Sequence, residues 1–251
     1  MPYPTVISCA TLPPVTWHRE ALCDYTDGVA VFRLPVSSGA AADSLLARLS
    51  PDEVSRAQRY HREADRQRFI YGRVILRTLL GRYTGQNPEG IQLIGDANKK
   101  PCVMDKSGIQ FNVSHAGNWI LWAIGRVSVG VDVEEIKPVF SFDDIVAYSF
   151  SPEEQRHILA HPYARRLFYQ LWTRKEALVK ATGQGLTDFI DRIPCLDGEH
   201  HRADDGLQRS ASWSVRSFSV ADGYPGAIAH GGPPEVIRFY TIDEASLTLH
   251  A

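Results

Sequence analysis

The sequence predicts an α+β fold in which a pair of similar α/β halves repeats along the chain. Two observations carry this, and a third supports it. Short apolar runs near 29–34, 109–113, 119–124, 127–134, 213–220 and 226–229 have the length and alternation of strands. Two charged helical tracts, about 53–82 and from about Arg165 to Gly183, fall between them. Each tract follows a Ser-Pro helix start, at Ser50-Pro51 and at Ser151-Pro152. As a repeat this is faint in the residues alone.

At 251 residues the chain can bury one large core or two small ones. Its net charge of −2 gives no overall pull toward nucleic acid or an anionic membrane surface. Cys9, Cys23, Cys102 and Cys195 have no CxxC or metal-ligand spacing and read as free thiols, which with the lack of a signal-peptide pattern predicts a cytoplasmic protein. No apolar run reaches the roughly 20 residues needed to span a bilayer.

In chain order, residues 1–28 are punctuated by Pro2, Pro4, Pro13 and Pro14 and read as irregular. Val29–Leu34 reads as a buried strand closed by Pro35, and a short helix is expected at 43–48. Ser50-Pro51-Asp52-Glu53 has Ser at the N-cap, Pro at N1 and Glu at N3, a capping box. The region 53–82 then reads as helical and carries Arg56, Arg59, Arg62, Arg66, Arg68, Arg73, Arg77 and Arg82. Such local basicity suggests an anionic partner at one face; a solvated helix paired to Asp52, Glu53, Glu63 and Asp65 is an equal reading. Asn98-Lys99-Lys100-Pro101 reads as a turn, Ile109–Val113 as a strand ending at Ser114-His115, and Trp119–Ile124 as another apolar strand. Phe140–Tyr148 suggests a helix, and Phe150-Ser151-Pro152-Glu153-Glu154 a second capping box. His157 and His161 lack the glutamate of a zinc HExxH helix and read as surface residues. Residues 196–210 read as a loop, and 213–220 with 226–229 as paired strands.

Val127, Val129, Val131 and Val133 alternate with Ser128, Gly130, Asp132 and Glu134, so Asp132 and Glu134 share a strand face about 6.6 Å apart. Carboxylates that close repel unless a cation lies between them. The stretch Leu171–Leu186 reads as a helix stopped by Gly183, with Trp172, Glu176 and Lys180 along one side. Taken singly, these are a solvated strand face and a surface Glu–Lys pair. Together they offer three carboxylates, an oxygen-only set that suits Mg²⁺.

Gly130-Val131-Asp132-Val133-Glu134, with Trp172-Thr-Arg-Lys175-Glu176-Ala-Leu-Val-Lys180-Ala-Thr-Gly183 about forty residues on, resembles the paired signature of 4′-phosphopantetheinyl transferases of the Sfp type. Phe111-Asn112-Val113-Ser114-His115 and Gly72-Arg73-Val-Ile-Leu76-Arg77 resemble two further motifs of the family. Where relatives read Gly-Lys-Pro, Lys99 here takes the glycine position before Lys100. The resemblance spans roughly residues 50–190. It implies a pseudo-dimer of two α+β halves, here 1–126 (CoA-phosphate side) and 127–251 (metal site and catalytic helix), with the active site in the cleft between them. It implies Mg²⁺ held by Asp132, Glu134 and Glu176, and a catalytic set of Glu176, Lys180 and Glu134. Arg56, Arg73, Lys100, Ser114, His115 and Lys180 become candidates for coenzyme A. The implied partner is an apo acyl or peptidyl carrier protein whose serine is the nucleophile, the enzyme working as a monomer without nucleic acid or membrane. The general base stays open between Glu176, Glu134 and a metal-bound water. A Mg²⁺-dependent pyrophosphohydrolase of CoA or nucleotides and a non-catalytic CoA-binding relative are the competing functions.

Overall fold

A computed structural model describes residues 5–26, 28–36, 42–95, 101–104, 107–183, 190–202, 212–233 and 235–243. The strands are β1 (Thr5–Thr11), β2 (Trp17–Arg19), β3 (Val29–Pro35), β4 (Leu93–Gly95), β5 (Pro101–Val103), β6 (Gln110–Ala116), β7 (Trp119–Gly125), β8 (Val129–Val133), β9 (Gly198–Arg202), β10 (Ser212–Ala221), β11 (Tyr224–Gly231) and β12 (Ile237–Thr241). The helices are α1 (Pro51–Gln58), α2 (Glu63–Thr84), α3 (Asp143–Ser149), α4 (Pro152–Leu159) and α5 (Ala164–Thr182). The expected helix at 43–48 is a 3₁₀ helix, Ala42–Arg48.

Two five-stranded sheets, ordered β8-β11-β10-β1-β9 and β2-β12-β3-β7-β6, carry the fold. Period-2 alternation explains how they stack. Phe32, Leu34, Ile120, Trp122 and Ile124 point from the second sheet toward α2, while Val29, Val31, Leu121 and Ala123 point the other way. There they meet Val129, Val131, Val133, Val220 and Ile228 of the first sheet. The opposite face of that sheet, through Trp213, Val215, Ala227 and Ala229, packs on Ala177, Leu178 and Ala181 of α5. The order of layers is therefore helix, sheet, sheet, helix.

The repeat is sharper in the structure than in the residues. Both Ser50 and Ser151, 101 positions apart, form complete capping boxes, and α1 and α4, then α2 and α5, begin at that same spacing. In both halves the N3 glutamate also grips a buried cation on the long helix. Glu53 accepts from Arg77 at 3.0 Å and Glu154 from Lys175 at 2.8 Å. Each cation then donates to carbonyls beyond its helix, Arg77 to Pro88 and Ile91, Lys175 to Ile190 and Ile193. Lys175 is fully buried, so Lys175→Met strands the Glu154 charge, at a cost of about 3–5 kcal/mol. Urea unfolding measures it; a loss under 1 kcal/mol would show that the pair is dispensable.

Three expectations are corrected. Residues 5–26 are not irregular: β1 pairs in parallel with β10, and β2 with β12. The 196–210 loop contains β9, a polar edge strand antiparallel to β1. The helical region 53–82 breaks at 59–62 into α1 and α2. Strand β8 is buried throughout, so the alternative of a solvated strand face does not hold. Strand β1 lies in the sheet of the later half and β12, parallel to β3, in that of the earlier half, so a cut at 126 removes one strand from each.

Candidate active site

Strands β6 and β8 are edges of different sheets, and they meet. The Val131 amide, unpaired on the open side of β8, donates to Asn112 Oδ1 on β6 at 2.9 Å. One residue on, Ser114 Oγ donates to Asp132 Oδ1 at 2.8 Å. Gly130 brings α5 down onto this junction, its Cα lying against the Ala177 carbonyl and the Ala181 amide. That approach delivers Lys180, whose Nζ donates to Asp132 Oδ1 at 2.6 Å and Ser114 Oγ at 3.1 Å.

Asp132 is 3 % exposed, and its Oδ2 has no hydrogen-bond partner among the described residues. Such an orphaned carboxylate oxygen is costly unless something positive meets it. Burial pushes the Asp132 carboxyl above the usual range, against the pull of Lys180 and Ser114. Glu134 is pushed up to about 7 by burial and then by Asp132 and Glu176, with Lys180 and a hydrogen bond from Trp172 opposing. Glu176 is raised by burial and by Asp132. No three His, Cys, Asp or Glu side chains among the described residues converge tightly enough to hold an ion by themselves. The donor set still fits Mg²⁺, which keeps several waters and needs only one or two direct carboxylates.

The raised carboxylates make a pH prediction. Glu134 loses its proton near 4.5 in the unfolded chain and near 7 in the folded one. Across that window the folded state binds more protons, so stability falls as pH rises. Without divalent ions, melting temperature should decline from pH 4.5 to 7 and then level off, with Glu134→Gln flattening the slope. Equal slopes in the unaltered protein and in Glu134→Gln would show that burial and the neighbouring carboxylates do not hold the Glu134 carboxyl up.

Beside the carboxylates lies a cleft of about 250 Å³ walled by Arg56, Arg68, Phe69, Arg73, Phe111 and His115 among others. The arginines of 53–82 divide two ways. Arg66, Arg68 and Arg77 pair with Glu63, Asp65 and Glu53, as the paired reading expects, while Arg66 and Arg82 also meet Asp43 and Glu20, outside that reading. Arg56 and Arg73 lie over the Phe69 ring at 5.2 and 5.7 Å and line the cleft, with Glu53 3.9 Å from the Arg73 Nε. Gly72, inside α2, lines the same cleft, and a Cβ there would meet nothing within 4 Å. A mid-helix glycine costs about 1 kcal/mol, and here packing gives no reason for it; room for a ligand does. His115 has its pKa lowered by burial, then by Arg68 and Lys180, so it is neutral at pH 7.

The structure thus gathers Asp132, Glu134, Glu176, Lys180 and Ser114 at the junction and Arg56, Arg73 and His115 in the adjoining cleft. Lys100 and the turn at 98–99 lie outside the described residues. His157 and His161 are exposed, as expected. Sequence reasoning missed Asn112, which joins the sheets, and Arg68, a cleft residue. It also missed Arg174, bonded to Ser217, Cys195 and Thr11. Arg174 and Lys175 look like ordinary helix formers; only burial distinguishes them.

Comparison with known proteins agrees across both halves. Residues 128–229 match the 4′-phosphopantetheinyl transferase superfamily, and residues 38–125 match the N-terminal region of 4′-phosphopantetheinyl transferase. The chain is 31 % identical to the 4′-phosphopantetheinyl transferase HetI of Nostoc sp. over 82 % of its own length and 89 % of the relative's. It is 28 % identical to the Sfp enzyme of Bacillus subtilis, covering 78 % and 89 %. A putative 4′-phosphopantetheinyl transferase of Synechocystis sp. is 35 % identical over 59 % and 62 %. With both halves matched and the Asp132–Lys180 junction built from the motif residues, the chain belongs to the 4′-phosphopantetheinyl transferase superfamily, on its Sfp-type branch.

Proposed function

We propose that the protein moves the 4′-phosphopantetheine arm of coenzyme A onto a serine of an apo acyl or peptidyl carrier protein, using Mg²⁺ and releasing adenosine 3′,5′-bisphosphate. The observation that carries the finer part of this reading is the orphaned Asp132 Oδ2, beside the raised carboxyls of Glu134 and Glu176 and bonded through Oδ1 to Ser114, whose neighbour His115 lines an arginine-walled cleft. Asp132, Glu134 and Glu176 would hold Mg²⁺, directly or through water, and the bound ion would neutralise pyrophosphate charge.

The carrier serine oxygen bonds to the phosphorus that bears the pantetheine arm. The bond from that phosphorus to the bridging pyrophosphate oxygen breaks, and its electron pair leaves on the nucleotide. Glu134 or Glu176 would accept the serine proton; the raised carboxyl of Glu134 belongs to the metal-free site, and a bound cation would lower it. Asp132 Oδ1 is already committed to Lys180 and Ser114. Lys180 balances charge growing on the leaving oxygens. Arg56, Arg73 and His115, with Lys100, take the phosphates of coenzyme A. Ser114 holds Asp132 and Lys180 in place. One chain supplies both the arginine-walled cleft, from its earlier half, and the carboxylates beside it, from its later half, so the working unit is a monomer. Among the described residues no helix is long and apolar enough to cross a membrane, and the free thiols suit a cytoplasmic enzyme.

The test is intact-protein mass spectrometry of an apo carrier incubated with the enzyme, CoA and Mg²⁺, beside an EDTA control. One phosphopantetheine gained only without EDTA is expected. CoA cleaved with no gain on acyl or peptidyl carriers would make the protein a hydrolase, and CoA bound but intact a binding protein.

A further inference from the structure

The turn between β6 and β7 immediately follows Ser114 and His115, and both halves of the molecule hold it. Gly117 sits in this turn with φ of +50°. From α2, Arg68 donates through Nη1 to the Gly117 carbonyl at 2.7 Å, while Asp65 pairs with Nη2. From the other half, Tyr224 and Glu135 close over the Gly117 Cα. A Cβ there would stand 2.9 Å from the Tyr224 ring, closer still to its hydroxyl, and 3.0 Å from the Glu135 carboxyl carbon. The Tyr224 hydroxyl donates to Glu135 Oε1 at 3.0 Å, and its ring meets Trp119 edge-on at 6.5 Å. Backbone bonds from Glu134 to Pro225 at 3.1 Å and from Ile136 to Gly223 at 2.9 Å hold Glu135 opposite Tyr224.

Gly117 is therefore excluded from carrying a side chain twice over, by its φ and by a hydrogen-bonded pair seated where the side chain would go. Glu135 directly follows Glu134, and Gly117 lies two residues past His115. The pair thus ties the carboxylate strand to the His115 turn across the junction between the sheets, and Arg68 fixes that turn from the opposite side. We propose that Arg68, Glu135 and Tyr224 are positioning residues for phosphopantetheinyl transfer: together they clamp Gly117 and set His115 in register with Glu134. The inference rests on assigning His115 to the CoA phosphates.

Tyr224→Phe keeps the ring against Trp119 and removes the hydroxyl's bonds to Glu135 and to the Asn118 backbone; Glu135→Ala removes the first of these from its other end. Each should raise KM for CoA about tenfold, the worth of one such hydrogen bond, with kcat within twofold and the melting temperature nearly unchanged. The double variant should be no worse than Tyr224→Phe, because Glu135→Ala deletes a bond that Tyr224→Phe already lacks. Glu135→Gln, which still accepts from the hydroxyl, should stay within twofold of the unaltered enzyme. Unchanged KM in both single variants, multiplicative losses in the double, or failure of the Gln rescue would each overturn the clamp. His115→Ala is measured alongside. If it raises KM while the clamp variants do not, the clamp alone fails; if it leaves KM untouched, the phosphate assignment of His115 fails instead.

Discussion

Alanine at Asp132 or Glu176 should reduce transfer by at least about a thousandfold, and Glu176→Ala should leave the fold intact or slightly firmer. The two halves of that expectation have one cause. Asp132 is buried, with Glu134 and Glu176 half-buried beside it; burial raises all three pKa values, and repulsion from Asp132 raises those of Glu134 and Glu176 further. Removing Glu176 relieves Glu134, so the melting temperature of metal-free Glu176→Ala should hold or rise, whereas Asp132→Ala also strands Lys180 and Ser114, which both donate to its Oδ1, and should lower it. The same removal takes away the oxygens proposed to meet Mg²⁺ and, with it, the compensation for pyrophosphate charge. Loss of activity with gained stability marks a site kept at a cost to the fold. Lys180→Ala should behave differently, cutting kcat much more than CoA affinity, since Lys180 touches Asp132 and Ser114 rather than the arginine wall. Assays of carrier loading against melting curves decide this. Near-normal turnover in Asp132→Ala or Glu176→Ala would remove the metal argument, and an effect of Lys180→Ala confined to CoA affinity would reduce it to a binding residue.

The parts of this site legible in the sequence are those encoded by short-range spacing. Glu176 and Lys180 are one helical turn apart, Asp132 and Glu134 two strand positions apart, and both Ser-Pro starts become capping boxes. Each follows from a period of 3.6 or 2 or from a cap rule. The parts that were not legible depend on long-range pairing or burial. β1 has small, mixed residues between prolines, and its place beside β10 rests on parallel pairing with residues about two hundred positions away. β9, Gly-Glu-His-His-Arg, is polar because it is an edge. Arg68 and Arg77 look alike on α2; one faces the cleft and the other is buried under Glu53. The exchange of β1 and β12 between sheets leaves no local trace.

Gly130→Ala should prevent stable folding, a loss above about 4 kcal/mol. Its Cβ would stand 2.9 Å from the Ala181 Cα and closer still to the Ala177 carbonyl and Ala181 amide. These are backbone atoms of α5, so no side-chain rotation relieves the overlap, and Ala177→Gly would not rescue it. Relief requires α5 to lift from β8, opening the core of Ala177, Leu178 and Ala181 against Trp213 and Ala229. Lifting α5 also withdraws Lys180 from Asp132, so any folded fraction should be nearly inactive. Gly72→Ala is the matched control in the other long helix. Its Cβ meets nothing in the protein and should keep or add up to about 1 kcal/mol of stability. It projects into the cleft instead, so KM for CoA should rise. Circular-dichroism melts with CoA titrations separate the two glycines. A normally stable Gly130→Ala would show that α5 does not depend on this contact for its height above β8, and so that Gly130 serves the site in some way other than close packing.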